Sequence, residues 1–264
     1  MKNIFLFIII FFYSNILNAI EFRGKFEQGS FIIGKATKGS KVEVDKRNIR
    51  LTKDGYFAFG LGRDRKNNVI IKIRENGSIK VVEKKVLKRD YNIQRIDGLP
   101  KKHVTPPPEV YERIKKDNIL IGKARSTNST YDYFKDKFIK PIDNYIITGV
   151  YGSQRILNGK ARRPHFGLDL HAPEGTPVKA MMDGEITLAE KDMYFTGGTI
   201  IFDHGHGIST LYMHMKDVNV KVGQKIKQGD VVGTLGKSGR ATGPHLDIRL
   251  NWFDVKLDPA VILN

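Results

Sequence analysis

The sequence predicts a mainly β protein: a small N-terminal β domain followed by a larger antiparallel β-sheet domain. Three observations lead there. Short apolar or alternating runs recur from about residue 30 to the C-terminus. Gly, Pro, Asn or Asp bound nearly every one of them, as turns between strands require. Helical spacing is confined to one short stretch near the middle of the chain.

The first domain is expected over 20–97. Phe31-Ile32-Ile33, Val42-Glu43-Val44, Phe57-Ala58-Phe59 and Val69-Ile70-Ile71-Lys72-Ile73 read as strands. Lys38-Gly39-Ser40, Asp54-Gly55 and Asn76-Gly77 separate them. Asn-Gly is the strongest short hairpin signal, because both turn positions want positive φ. No nucleophile, metal cluster or phosphate loop stands out in this part, so it reads as a binding or spacer module. A Pro-containing linker with a short helix is expected over 98–137. Thr105-Pro106-Pro107-Pro108 favours an extended connector, and His103 within it reads as a solvated side chain. Glu109 to Lys116 predicts a helix opened by Pro108, with Val110 and Ile114 on one stripe. The second domain, 138–264, opens with Ile146-Ile147-Thr148-Gly149-Val150-Tyr151-Gly152, a strand ending in glycines. A basic, Gly-containing loop, Arg155 to Arg163, follows and predicts a cleft wall. Val178-Lys179-Ala180, Gly184-Glu185-Ile186, Thr199-Ile200-Ile201-Phe202, Ser209-Thr210-Leu211-Tyr212 and Asp230-Val231-Val232-Gly233 predict antiparallel strands.

Met1 to Ala19 differs from the rest. Lys2 precedes the continuous apolar run Phe5 to Phe12, and Leu17-Asn18-Ala19 ends on a small residue. This predicts a secretory signal peptide and export to the periplasm or cell envelope. No other segment reaches the ~18 apolar residues of a transmembrane helix. There are no cysteines, so thiol catalysis and Cys-based metal sites are excluded. The formal net charge is +17, which attracts polyanions over about 8 Å in physiological salt. For an exported protein the expected polyanions are envelope polymers, not nucleic acid.

The chemistry concentrates between His165 and Asp247. Two residues apart on a strand face the same way, so His245 and Asp247 share a face if Leu246 to Leu250 is a strand. His165 and Asp169 are four apart around Gly167, and a turn entering a strand would let them converge. Zinc accepts imidazole nitrogen and carboxylate oxygen at ~2.0–2.2 Å, and catalytic sites leave a fourth position for water. His165, Asp169 and one residue of the closing pair would make such a site. His204 and His206 flank Gly205 at a predicted hairpin tip, where they should be exposed.

These blocks resemble the lysostaphin/LytM-type zinc endopeptidases, which act on peptidoglycan. The resemblance runs from about Ile147 to the C-terminus. It rests on His165-x3-Asp169, Tyr212-x-His214, Gly243-Pro244-His245-x-Asp247, Ala172-Pro173-Glu174-Gly175-Thr176-Pro177-Val178 and Val222-Gly223-Gln224-Lys225-Ile226-Lys227-Gln228-Gly229-Asp230. It implies zinc bound by His165 and Asp169, with His245 and His214 in catalysis. The family closes with His-x-His, and this chain has Asp247 at the second His, the third ligand. Three outcomes are open: Asp247 binds zinc; His171, two beyond Asp169, supplies the missing imidazole; or the metal is lost and the chain is an inactive homologue that binds the wall and regulates other hydrolases. A separate reading takes Gly223 to Gly233 as a biotinyl- or lipoyl-type hairpin with Lys216 as the modified residue.

Overall fold

The structure, a computed structural model, describes residues 20–98 and 105–263. The expected signal peptide, His103 and part of the expected linker therefore lie outside the described residues. No helix among the described residues is long and apolar enough to cross a membrane.

The N-terminal part contains β1 (Glu21–Arg23), β2 (Phe31–Lys35), β3 (Lys41–Val44), β4 (Arg47–Ile49), β5 (Tyr56–Gly60), β6 (Val69–Glu75), β7 (Ser78–Lys84) and β8 (Ile93–Ile96). β1-β2-β5 form one sheet and β4-β3-β6-β7 another. Asn76 and Gly77 both take positive φ, 47° and 78°, in the β6–β7 hairpin, as the Asn-Gly signal predicts. Alternation on β6 buries Val69, Ile71 and Ile73, and Phe57 and Phe59 on β5 are fully buried.

Helix α1 spans Tyr111–Arg125, starting later and ending well beyond the predicted Glu109–Lys116. The extension is tertiary in origin. Leu120, Ile121 and Ala124 pack on Leu188, Met193, Ile201 and Leu211 of the large sheet. Arg113 and Asp117 tie the first turns to Asp192 and to the Tyr194 backbone.

The C-terminal part contributes β9 (Ile146–Gly149), β10 (Gln154–Leu157), β11 (Lys160–Ala161), β12 (Leu168–His171), β13 (Pro177–Lys179), β14 (Gly184–Met193) and β15 (Gly197–Gly205). β16 (Ile208–Val218), β17 (Lys225–Ile226), β18 (Val231–Leu235), β19 (Leu246–Trp252) and β20 (Val255–Leu257) complete it. The large sheet runs β17-β14-β15-β16-β19-β12-β9, with β13, β18 and β20 joined to it, and its pairings are antiparallel. Ile248 lies opposite Tyr212, and both belong to the main core. Asp247 lies opposite Met213 and Arg249 opposite Leu211, so these side chains project from the other face, the one that carries α1.

One expectation changes here. The basic stretch 155–163 is a hairpin, β10–β11, turning on Asn158 and Gly159 with φ of 46° and 76°. Its Asn-Gly was the same signal as at Asn76-Gly77. Phe57 and Phe59 of the N-terminal part fall in one core cluster with Leu250 and Leu257 of the C-terminal part. β8 pairs in parallel with β10, and Arg89 pairs with buried Asp258 at 2.9 Å. The N-terminal part is thus packed against the C-terminal sheet, and its β8 supports the β10–β11 hairpin.

Candidate metal centre and cleft

β12 and β19 are neighbours, and their register sets Asp169 directly opposite Asp247. Both carboxylates rise from the same sheet face. His165 lies just before β12, with Gly167 between it and Asp169. A Cβ at Gly167 would collide with Asp247 Oδ1, and one at Gly149 of the adjacent strand would collide with Asp169 Oδ2. These two glycines leave room for the carboxylates.

His165 Nε2 is 3.0 Å from Asp169 Oδ1 and 3.4 Å from Asp247 Oδ2. The imidazole and both carboxylates are buried, and one donor atom of each lies within 4.8 Å of the others. His165 Nδ1 is 3.3 Å from the Val150 carbonyl. A carbonyl only accepts, so Nδ1 carries the hydrogen and Nε2 is the atom turned to the carboxylates. Asp169 Oδ1 is buried without an aligned hydrogen-bond donor, although such oxygens in proteins are nearly always satisfied. One imidazole nitrogen and two carboxylate oxygens are a donor set that zinc accepts. The orphaned oxygen and the convergence fit a divalent cation.

Two arginines, Arg155 of the basic stretch and Arg249 of β19, hold the carboxylates. Arg155 Nη2 donates to Asp169 Oδ2 at 2.8 Å, and its Nε donates to Gln94 of β8 at 3.1 Å. Arg249 donates from Nε to Asp247 Oδ1 at 3.2 Å and from Nη2 to Oδ2 at 3.0 Å. The signal for Arg249 was present in the sequence, for it stands two beyond Asp247 on a strand. Burial opposes ionisation of Asp247, but Arg249 and His165 hold its carboxyl well below the usual carboxylate range. Asp169 is likewise lowered against burial, by His165 and Arg155. Burial opposes the charged form of His165, yet the two carboxylates raise its pKa.

The His214 and His245 rings face one another beside the cluster, with centroids 4.7 Å apart. His245 Nε2 is 4.0 Å from Asp169 Oδ1. Strand alternation would put His214 with Tyr212 on the core face. Instead His214 has φ of 64°, a conformation uncommon outside glycine and often found at functional sites. Tyr212 stays in the core, where its hydroxyl donates to the Lys179 carbonyl at 2.9 Å. His214 Nδ1 donates to the Ser238 carbonyl at 2.8 Å and His245 Nδ1 to the Gly243 carbonyl at 2.9 Å. In both rings Nε2 is therefore the free lone pair. Burial pushes the His214 pKa down to about 4, so this ring is neutral at neutral pH.

Other candidates fall away. His171 bonds the Pro244 carbonyl through Nδ1 at 2.7 Å and its side chain is exposed; it does not join the cluster. Lys216 lies inside β16 and not at a hairpin tip, which removes the carrier reading. His204 and His206 do sit at the β15–β16 turn, but they are 1% and 5% exposed. The segment around Ser129 to Tyr131 covers them: Ser129 accepts from the His206 amide, and Tyr131 lies against Gly205.

Residues 163–259 match the model of peptidase family M23. Over 166 residues the chain is 31% identical to the cell division protein DipM of Caulobacter vibrioides, covering 61% of this chain and 26% of DipM. It is 35% identical over 130 residues to the peptidoglycan DD-endopeptidase ShyC of Vibrio cholerae, covering 46% of this chain and 29% of ShyC. The chain thus spans under a third of the length of these curated relatives. A crystal structure from Pseudomonas aeruginosa, described as a candidate M23 peptidase, superposes with a TM-score of 0.71 at 24% identity, over 90% of this chain and 95% of that one. That likeness establishes the fold of nearly the whole chain, N-terminal part included.

Proposed function

We propose that this chain is an exported, zinc-dependent endopeptidase that hydrolyses peptide bonds in the cross-links or stems of peptidoglycan. One observation carries the reading: His165 Nε2, Asp169 Oδ1 and Asp247 Oδ2 converge in a buried site around an oxygen that lacks an aligned hydrogen bond. His165, Asp169 and Asp247 would hold the metal. The convergence favours this reading over an inactive wall-binding homologue. The names of relatives such as ShyC support peptidoglycan as substrate, and the apolar start of the sequence supports export.

When bound, the metal polarises a scissile carbonyl and acidifies a water. The Val150 carbonyl fixes the His165 tautomer so that Nε2 is the donor atom, as supporting hydrogen bonds do for metal-binding histidines. Arg155 and Arg249 orient the two carboxylates. His245 presents an unprotonated Nε2 at the edge of the cluster and acts as the base that takes the water proton. His214 is kept neutral by burial. Its bond to Ser238 leaves an acceptor at Nε2, which suits a proton relay with His245 better than polarising an oxyanion. The formal net charge of +17 suits acidic stem peptides and anionic envelope polymers.

Digestion of purified sacculi tests the proposal. With zinc supplied, the wild type should release soluble peptide-linked fragments, and chelator or His165→Ala should stop the release. Intact sacculi after treatment with zinc-loaded wild type would overturn it.

A further inference from the structure

Arg249 sits where a metal site ordinarily has no reason to keep a cation. Its guanidinium grips both oxygens of Asp247, and one of them, Oδ2, is the oxygen turned to His165. Arg155 takes only the outer oxygen of Asp169 and leaves Oδ1 to the cluster. The two carboxylates are therefore matched by two guanidinium charges before any cation enters. Further positive charge lies close by. Burial, and then repulsion from Arg155, Arg249 and Arg162, lowers the pKa of Arg240. Lys256 is lowered by burial and then by Arg125, Arg249 and Arg163.

We infer that Arg249 sets the metal affinity of this chain: it aims Asp247 Oδ2 into the donor cluster while its charge opposes the divalent cation, so the ion is held weakly and exchanges readily. The inference rests on the reading of His165, Asp169 and Asp247 as a metal site. The two effects of Arg249 have opposite signs. Losing a supporting contact to a ligand costs roughly ten- to a hundredfold in affinity. A full positive charge one carboxylate away from a divalent ion opposes it more strongly than that in a buried site, where charges are poorly screened. The charge effect wins, and removing it should tighten binding.

Two substitutions separate the effects. Arg249→Gln keeps one N–H for Asp247 and loses the charge, whereas Arg249→Lys keeps the charge and loses the fork. Zinc dissociation constants would be measured by chelator competition and calorimetry on the full chain, with circular dichroism to establish that each variant is folded. R249Q should bind zinc about tenfold tighter than wild type, and R249K should bind no tighter than wild type. Equal weakening in both variants would mean that Arg249 only positions Asp247, and would overturn the inference. So would no zinc uptake by either wild type or R249Q. If R249Q does not fold, Arg249→Met, which removes the charge without a polar group, is read in its place by the same criteria. Sacculus digestion is scored separately. An active wild type whose zinc affinity ignores Arg249 sinks this inference and leaves the peptidase reading standing, and the expected affinity order without digestion does the reverse.

Discussion

Two groups of histidines in this chain look alike in sequence and differ in what surrounds them. His204 and His206 form a His-x-His pair at the β15–β16 turn. His204 spends both ring nitrogens inside the protein, on the Asp183 carbonyl at 2.7 Å and the Thr210 hydroxyl at 2.8 Å. His165, His214 and His245 each give Nδ1 to a backbone carbonyl, Nε2 of His165 and of His245 lies 3.0 and 4.0 Å from Asp169 Oδ1, and the His214 ring stands against His245. The lesson is that spacing nominates a ligand, whereas the partners of the ring and its reach to the carboxylates decide the matter together. His204, with both nitrogens engaged, is a core residue, and His171, anchored through Nδ1 alone, is exposed and stays outside the cluster.

The comparison breaks most sharply at His165. His165→Ala removes one of three donors, so zinc uptake and sacculus digestion should both fall by more than about a hundredfold. If uptake survives, the cluster is not the metal site. His245→Ala should retain zinc yet lose about 10²–10⁴ in digestion rate, the usual worth of a positioned base. Joint loss of metal and activity would instead make His245 a ligand. Gly149→Ala pushes a methyl into Asp169 Oδ2 and should weaken zinc binding by roughly tenfold, with about 1–3 kcal/mol of lost stability from overpacking. Calorimetry and denaturant melts read the two separately.

The buried pair makes the smallest change to activity. His204→Gln should leave digestion within about twofold while altering stability against pH. Burial holds folded His204 at about 4, below its unfolded value of ~6.5. The unfolded chain therefore binds more protons between those values. Stability from neutral His204 is full above pH ~6.5 and declines as pH falls toward 4, by at most roughly 3 kcal/mol. The variant should lose that slope between pH 6.5 and 4 in urea melts. An unchanged slope would show that the acid sensitivity arises elsewhere.

Much of this was legible in the residues. Alternation gave the face shared by His245 and Asp247, Asn76-Gly77 gave its hairpin, and the His165-x3-Asp169 turn gave convergence. Long-range packing was not legible. Nothing local announces that Ser129 to Tyr131 would cover the turn bearing His204 and His206, so exposed side chains were expected there. The left-handed backbone of His214 breaks the alternation that would have left it beside Tyr212 in the core. Helix α1 runs on to Arg125 because the sheet offers Leu188 and Leu211 to Leu120 and Ile121, a surface that does not exist until β14 and β16 pair with their neighbours. Arg155 needs both β8 and β12 to find its partners, Gln94 and Asp169.

Anomalous diffraction at the zinc edge from crystals of the wild-type chain grown with zinc tests the central claim most directly. The account predicts a single strong peak within ~2.0–2.2 Å of His165 Nε2, Asp169 Oδ1 and Asp247 Oδ2. A peak that lacks Asp247, or no peak among these three residues, would contradict it.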